Sequence, residues 1–193
     1  MQCNKLDIKF NTDVLLDDLA DYIKILKDIS SKWPNEIVRV MCNYPAGTEH
    51  YTSNKRSDEV WDIIETDEYK LYTRLTKFGT RMVSAYLKQE KPWSSEVLDI
   101  SKKINKKGNL QVALVLAGPK FRLEKHIDTK QLTRFHIPIV TNEKSYFEIF
   151  EPHTKFYPKV GEVWSLDTSK EHAANNDSET HSRIHMIMDF LDG

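Results

Sequence analysis

The residues able to do chemistry crowd into the last third of this chain. Six of its seven histidines are His126, His136, His153, His172, His181 and His185, and His50 alone lies earlier. His126-Ile127-Asp128 sets an imidazole and a carboxylate two residues apart, which in a strand or its frayed end places them on one side. With 7 His and 15 Asp, chance alone supplies about half of one such pair, so the pattern counts only in company. Its company is His172, which follows the run GEVWSLDTSKE, and Arg183, eleven residues further on. In the final alternating run Arg183, His185, Ile187 and Asp189 share one face, and Ile184, Met186, Met188 and Phe190 share the other. The second face packs a core, so the first looks into a polar cavity or solvent.

Two imidazoles and one carboxylate on one face of a metal leave positions open. This is the donor set suited to non-heme Fe(II) oxygenases. An arginine adds a planar fork that can take the distal carboxylate of 2-oxoglutarate through two charge-assisted hydrogen bonds. Zinc accepts the same three donors, so a metal-dependent hydrolase is a rival reading. A catalytically silent jelly-roll protein that binds a metal or a small acid is another. His181, His185 or His153 would replace His172 as a ligand if the strand ends fall elsewhere.

The elements that must hold these residues are short strands. From about residue 109 the runs LQVALVLAG, TRFHIPIVT, YFEIFEP, VGEVWSLD and SRIHMIMDF alternate with turn chemistry at GPK, TNEK, PKVG and NNDSE. Many short strands with regular turns indicate a barrel or sandwich. Before them, residues 5–10 alternate as a strand, and Asp13 caps a helix reaching Ile29 with Leu15, Leu19, Tyr22 and Leu26 at helical spacing. Residues 35–45 read as a second strand. Residues 57–89 read as a long helical stretch on the stripe Leu71, Leu75, Phe78, Met82 and Ala85. The fold class expected is mainly β with an N-terminal helical layer on a jelly-roll core. The chain reads as one domain, with 1–107 as helical/β support and 108–193 as the core that carries the site.

Composition narrows the function classes. The 193 residues include 28 basic and 29 acidic side chains, a net charge of -1, and mean hydropathy is -0.57. General attraction to nucleic acid is disfavoured, and there is no room for a membrane span. Cys3 and Cys42 form neither a disulfide framework nor a metal knuckle, and MQCNKLDIKF is not a signal peptide, so a cytoplasmic protein with reduced thiols is expected.

The stretches HIDTKQLTRFHIPIVTN, VGEVWSLD, EHAANN and SRIHMIMDF together resemble the aspartyl/asparaginyl β-hydroxylase family of Fe(II)- and 2-oxoglutarate-dependent oxygenases. The likeness runs from about residue 116 to 190. Because Asp128 is present, the chain is more similar to the proline-hydroxylase branch than to the vertebrate peptide hydroxylases, which lack the acidic ligand. The resemblance implies a double-stranded β-helix of cupin type and hydroxylation of an amino-acid side chain, free or in a peptide, with release of succinate and CO2. It implies that His126, Asp128 and His172 bind Fe(II), that Arg183 takes the C5 carboxylate of 2-oxoglutarate, and that His136 hydrogen-bonds this cosubstrate. Arg134, two residues earlier, would reach the cosubstrate or the substrate carboxylate. Asn175 or Asn176 matches an asparagine after the distal histidine, and Trp164 matches an aromatic on the strand leading to it. Arg183 and His136 argue against hydrolysis, which requires no fixed dicarboxylate site. Arg122 and Glu124, with Arg134, are candidates for an ion-pair site on the substrate. Trp164, Tyr146 and Phe147 are candidates for shielding the reaction.

Overall fold

The computed structural model describes residues 3–34, 36–42, 61–75, 81–88, 94–128 and 133–191. In chain order the elements are β1 (Cys3–Leu6), α1 (Thr12–Asp18), α2 (Ala20–Lys32), β2 (Ile37–Cys42), β3 (Trp61–Glu65), β4 (Tyr69–Leu75), β5 (Arg81–Leu87) and α3 (Ser95–Ile104). They are followed by β6 (Asn109–Ala117), β7 (Phe121–His126), β8 (Thr133–Val140), β9 (Ser145–Phe150), β10 (His153–Phe156), β11 (Val163–Asp167), β12 (His172–Asn176) and β13 (Arg183–Leu191).

The strands form a nine-stranded sheet in the order β1-β11-β8-β13-β6-β2-β5-β4-β3 and a four-stranded sheet in the order β10-β9-β12-β7. Strands β6 to β13 are the jelly roll, four in each sheet. Strand β2 bonds β6 along Ile37–Cys42, and β5 runs parallel to β2, so strands from both halves of the chain share the large sheet.

Each face of the large sheet has its own partner. Val112, Leu114 and Leu116 of β6, Phe135, Ile137 and Ile139 of β8, and Ile184, Met186 and Met188 of β13 are buried in one cluster with Leu15, Leu19, Leu26 and Ile29 of the helices. The intervening residues point the other way, toward the small sheet. A fully buried side chain of this kind contributes about 1.5–3 kcal/mol, so the helical layer fixes which face of every strand looks inward.

The N-terminal elements differ in detail from the sequence reading. The single helix expected from Asp13 to Ile29 is two helices meeting at Leu19. The cap is Asn11, whose side-chain oxygen accepts from the Asp13 and Val14 amides at 3.1 and 3.2 Å. Of the strands expected over 5–10 and 35–45, the first is β1, set earlier and ending at Leu6, and the second holds β2, with residues 35 and 43–45 outside the described residues.

The helical stretch expected over 57–89 is overturned. Its described parts hold three strands, with β4 antiparallel to both β3 and β5. The stripe Leu71, Met82 and Ala85 fits a helical period, but Tyr69, Leu71 and Thr73 fit a period of two and are the residues buried. In β5 the neighbours Val83, Ser84, Ala85 and Tyr86 are all buried, because both faces are covered and periodicity is erased. Phe78 lies outside the described residues. Helix α3 went unread: Ser94 caps it at the Val97 amide, Val97 and Ile100 bury its inner face, and left-handed Asn105 ends it.

Gly118 marks the tightest approach. A Cβ there would lie 2.9 Å from the Pro34 carbonyl oxygen, a backbone atom with little freedom to move. Gly118→Ala is expected to lower unfolding free energy by about 1–3 kcal/mol, read as a reduced urea midpoint at unchanged m-value.

Candidate metal centre

Strands β7 and β12 pair antiparallel with His126 directly opposite His172, and a register slip lies between His172 and Ala174. Bulges re-aim side chains next to sites. Here the two imidazoles converge to 4.3 Å between ring centroids. Each ring is oriented by its own backbone. His126 Nδ1 donates to the Glu124 carbonyl at 2.7 Å, and His172 Nδ1 donates to the Lys170 carbonyl at 2.8 Å. A carbonyl only accepts, so each ring carries a proton on Nδ1 and turns Nε2 away from its own backbone. That arrangement leaves Nε2 of each ring available to a metal.

Asp128 closes the triad. Its amide bonds the Thr168 carbonyl at 3.0 Å, tying the segment after β7 to the turn after β11. Its carboxylate stands 3.6 Å from His126 Nε2. The donor atoms of His126, Asp128 and His172 lie within 4.8 Å of one another, close enough to share one cation. Burial pulls the His172 imidazole below its ordinary value, more than its bond to Lys170 raises it, so the ring is held in its neutral, ligating form.

Arg134 lies beside the triad, but its donors are engaged. Nη1 contacts Asp128 at 3.0 Å, while Nε and Nη2 each bond Asp189 at 3.0 Å. The guanidinium therefore acts as a strut between the carboxylate of β13 and that of the triad. Asp189 was not singled out as a site residue, although it shares the Arg183 face of the last strand.

His126 and His172 also line a chamber with about 560 Å³ of empty space, part of it open to solvent. Its walls are chiefly apolar and include Val115, Leu123, Phe147, Leu166 and Ile187. Arg183, His136 and His185 also line it, at 7%, 6% and 3% exposure. Arg183 Nη1 and both ring nitrogens of each histidine have no hydrogen-bond partner. Among the described residues no carboxylate pairs with Arg183, whose recorded neighbour is the Phe147 ring at 5.7 Å. Burial draws its guanidinium down to about 10 and holds both histidines well below their usual value. Burying an unpaired charge costs several kcal/mol, so the chamber suits an anion that enters with its own charge.

Other candidates stand elsewhere. Asn176 is fully buried but does not line the chamber. Its amide nitrogen donates to the Gly118 and His181 carbonyls at 2.8 Å, and its oxygen accepts from Asn142 at 3.0 Å. Asn175 is buried on the opposite side of β12. Trp164 lies outside the lining too: its indole N–H donates to Glu162 at 2.8 Å and its ring packs on Phe156. Arg122 and Glu124 are exposed and alternate with the inward Phe121 and Leu123, and Arg122 pairs with Asp177. The Tyr146 hydroxyl also bonds Asp177, whereas Phe147 lines the chamber together with Phe121. His153 pairs with Glu148 and His181 contacts Thr180, so neither joins the triad. His50 lies outside the described residues. No helix among the described residues is long and apolar enough to cross a membrane.

Comparison with known proteins is consistent with this architecture. The family model described as Aspartyl/Asparaginyl beta-hydroxylase matches residues 35–192. A prolyl-4-hydroxylase from Pseudomonas putida is similar in structure, with 8% identity and a TM-score of 0.50, covering 98% of this chain and 92% of that one. AviO1 from Streptomyces viridochromogenes Tue57 is similar at 11% identity and a TM-score of 0.50, covering 99% and 90%. Identities this low show the fold alone. No curated protein sequence matches the chain.

The strut predicts a separable effect on the metal. Arg134→Ala and Asp189→Asn should each weaken Co(II) affinity by about 10–100-fold, as loss of a group that holds a ligand does, read by competition titration. Asn176→Ala should instead lower stability by about 1–3 kcal/mol, because buried carbonyls lose their donor, and leave Co(II) affinity unchanged.

Proposed function

The chain belongs to the aspartyl/asparaginyl β-hydroxylase family, and on that premise we propose that it is an Fe(II)- and 2-oxoglutarate-dependent dioxygenase that hydroxylates an amino-acid side chain, free or within a peptide. The observation that carries this reading is the buried Arg183 guanidinium, which no carboxylate among the described residues pairs with and whose Nη1 has no hydrogen-bond partner, lining the same apolar chamber as His126 and His172 of the triad.

The residues present fit both groups. His126, Asp128 and His172 would hold the iron on one face through two neutral nitrogens and one carboxylate oxygen. Bound there with 2-oxoglutarate, the iron supplies oxygen activation coupled to conversion of the cosubstrate to succinate and CO2. Arg183 would take the distal carboxylate in its fork, with His136 beside it as a neutral hydrogen-bonding group. The walls of Val115, Leu123, Phe147, Leu166 and Ile187 exclude water from the cosubstrate and strengthen the ion pair made inside. Arg134 fixes the Asp128 carboxylate, so the triad needs little rearrangement when it is filled. The family description names aspartyl and asparaginyl side chains, which supports an amino-acid or peptide substrate.

Anaerobic addition of Fe(II) and then 2-oxoglutarate should produce a weak visible charge-transfer band, and oxygen should then release succinate. His172→Ala should abolish the band. Arg183→Ala should weaken 2-oxoglutarate binding by about 100-fold, since a charge-assisted bidentate pair is lost, while iron affinity stays near that of the parent. Iron binding without the band would favour a silent metal-binding protein.

A further inference from the structure

His185 stands two residues after Arg183 on the inward face of β13. It is 3% exposed, and neither ring nitrogen has a hydrogen-bond partner. Its ring centroid lies 5.6 Å from that of Phe147 and 6.1 Å from that of His136. An imidazole with no partner is a poor wall for an apolar chamber, because an apolar side chain of similar size would avoid the desolvation penalty. Its two unanswered nitrogens point to a ligand.

A carboxylate offers about four acceptor sites, and one guanidinium fork fills two of them. Inside this chamber the remaining lone pairs would face walls that are chiefly apolar, with Val115, Leu166 and Ile187 among them. A donor on the same strand face, one alternation beyond the guanidinium, is what such a carboxylate still needs. We propose that His185 is a direct ligand of the cosubstrate, its ring N–H donating to the carboxylate held by Arg183, so that the distal site is a guanidinium–imidazole pair. The assignment rests on the reading that 2-oxoglutarate enters the chamber with its distal carboxylate first. A neutral ring adds a donor without a second positive charge beside Arg183. The pair selects a dicarboxylate over a 2-oxo acid with an apolar tail, which would leave both groups unanswered.

The test uses the full chain loaded with zinc, which accepts the same ligands without turnover. 2-Oxoglutarate is titrated by calorimetry, and the histidine side-chain nitrogens are followed by NMR. His185→Leu should bind 2-oxoglutarate about tenfold or more weakly, as loss of a hydrogen bond to a charged group requires. Its thermal midpoint should be unchanged or raised, and His185→Gln should restore most of the affinity. In the parent protein the His185 ring signals should shift when 2-oxoglutarate is added. If His185→Leu binds within about twofold of the parent and the ring signals stay still, while Arg183→Leu loses binding, the His185 assignment is wrong and the cosubstrate reading stands. If Arg183→Leu also binds like the parent, or the parent binds none, the cosubstrate reading fails and takes this assignment with it.

Discussion

The strands of the large sheet that carry the site, β6, β8 and β13, are clamped on one face by the helical layer, and that clamp sets the parity of the whole site. Met186 and Met188 must face Leu26 and Ile29, so Arg183, His185 and Asp189 must face the small sheet. Phe135 and Ile137 must face the helices, so Arg134 and His136 must turn inward. A slip of one residue in any of these strands would bury the charged set against the helices and empty the chamber of its polar groups. Register is therefore the constraint from which the site follows. The long apolar cluster, rather than any contact within the chamber, enforces it.

The chamber holds groups that do nothing for the stability of the empty protein. Arg183 Nη1 and both ring nitrogens of His136 and of His185 give up hydration and receive no protein hydrogen bond in return. At the triad the polar groups are well supported. The Glu124 and Lys170 carbonyls orient the two rings, Thr168 pins the Asp128 amide, and Arg134 braces its carboxylate from Asp189. The triad is thus held by hydrogen bonds within the protein, while the buried nitrogens of Arg183, His136 and His185 named above are not. A molecule with a chelating head and an anionic tail meets both conditions.

The sequence carried much of this, for identifiable reasons. The β half was readable because its strands are short, turn-bounded and alternating, and the alternation of β13 alone placed Arg183, His185 and Asp189 on one face. His185 reads from the sequence only as a neighbour of Arg183 on that face and a substitute for His172, since only burial shows that nothing answers its nitrogens. Arg134, Trp164 and Asn176 carry side chains that suit a cosubstrate site. Their bonds to Asp189, to Glu162 and to the Gly118 and His181 carbonyls join residues far apart in the chain or set by side-chain direction, which spacing does not reveal.

Residues 57–89 show the limit most clearly. Leu71, Met82 and Ala85 satisfy a helical stripe, while Tyr69, Leu71 and Thr73 satisfy a strand, and local pattern does not choose between them. The choice came from β2, whose edge pairs with β5 in parallel and draws β4 and β3 into the sheet. The sequence by itself determined the family, the alternating β half, and the donors and the arginine that could be singled out within it, because side-chain type and a period of two are local properties. The tertiary structure decided which polar groups are answered by the protein and which are not, because satisfaction of a buried hydrogen bond depends on neighbours that the chain brings together only by folding.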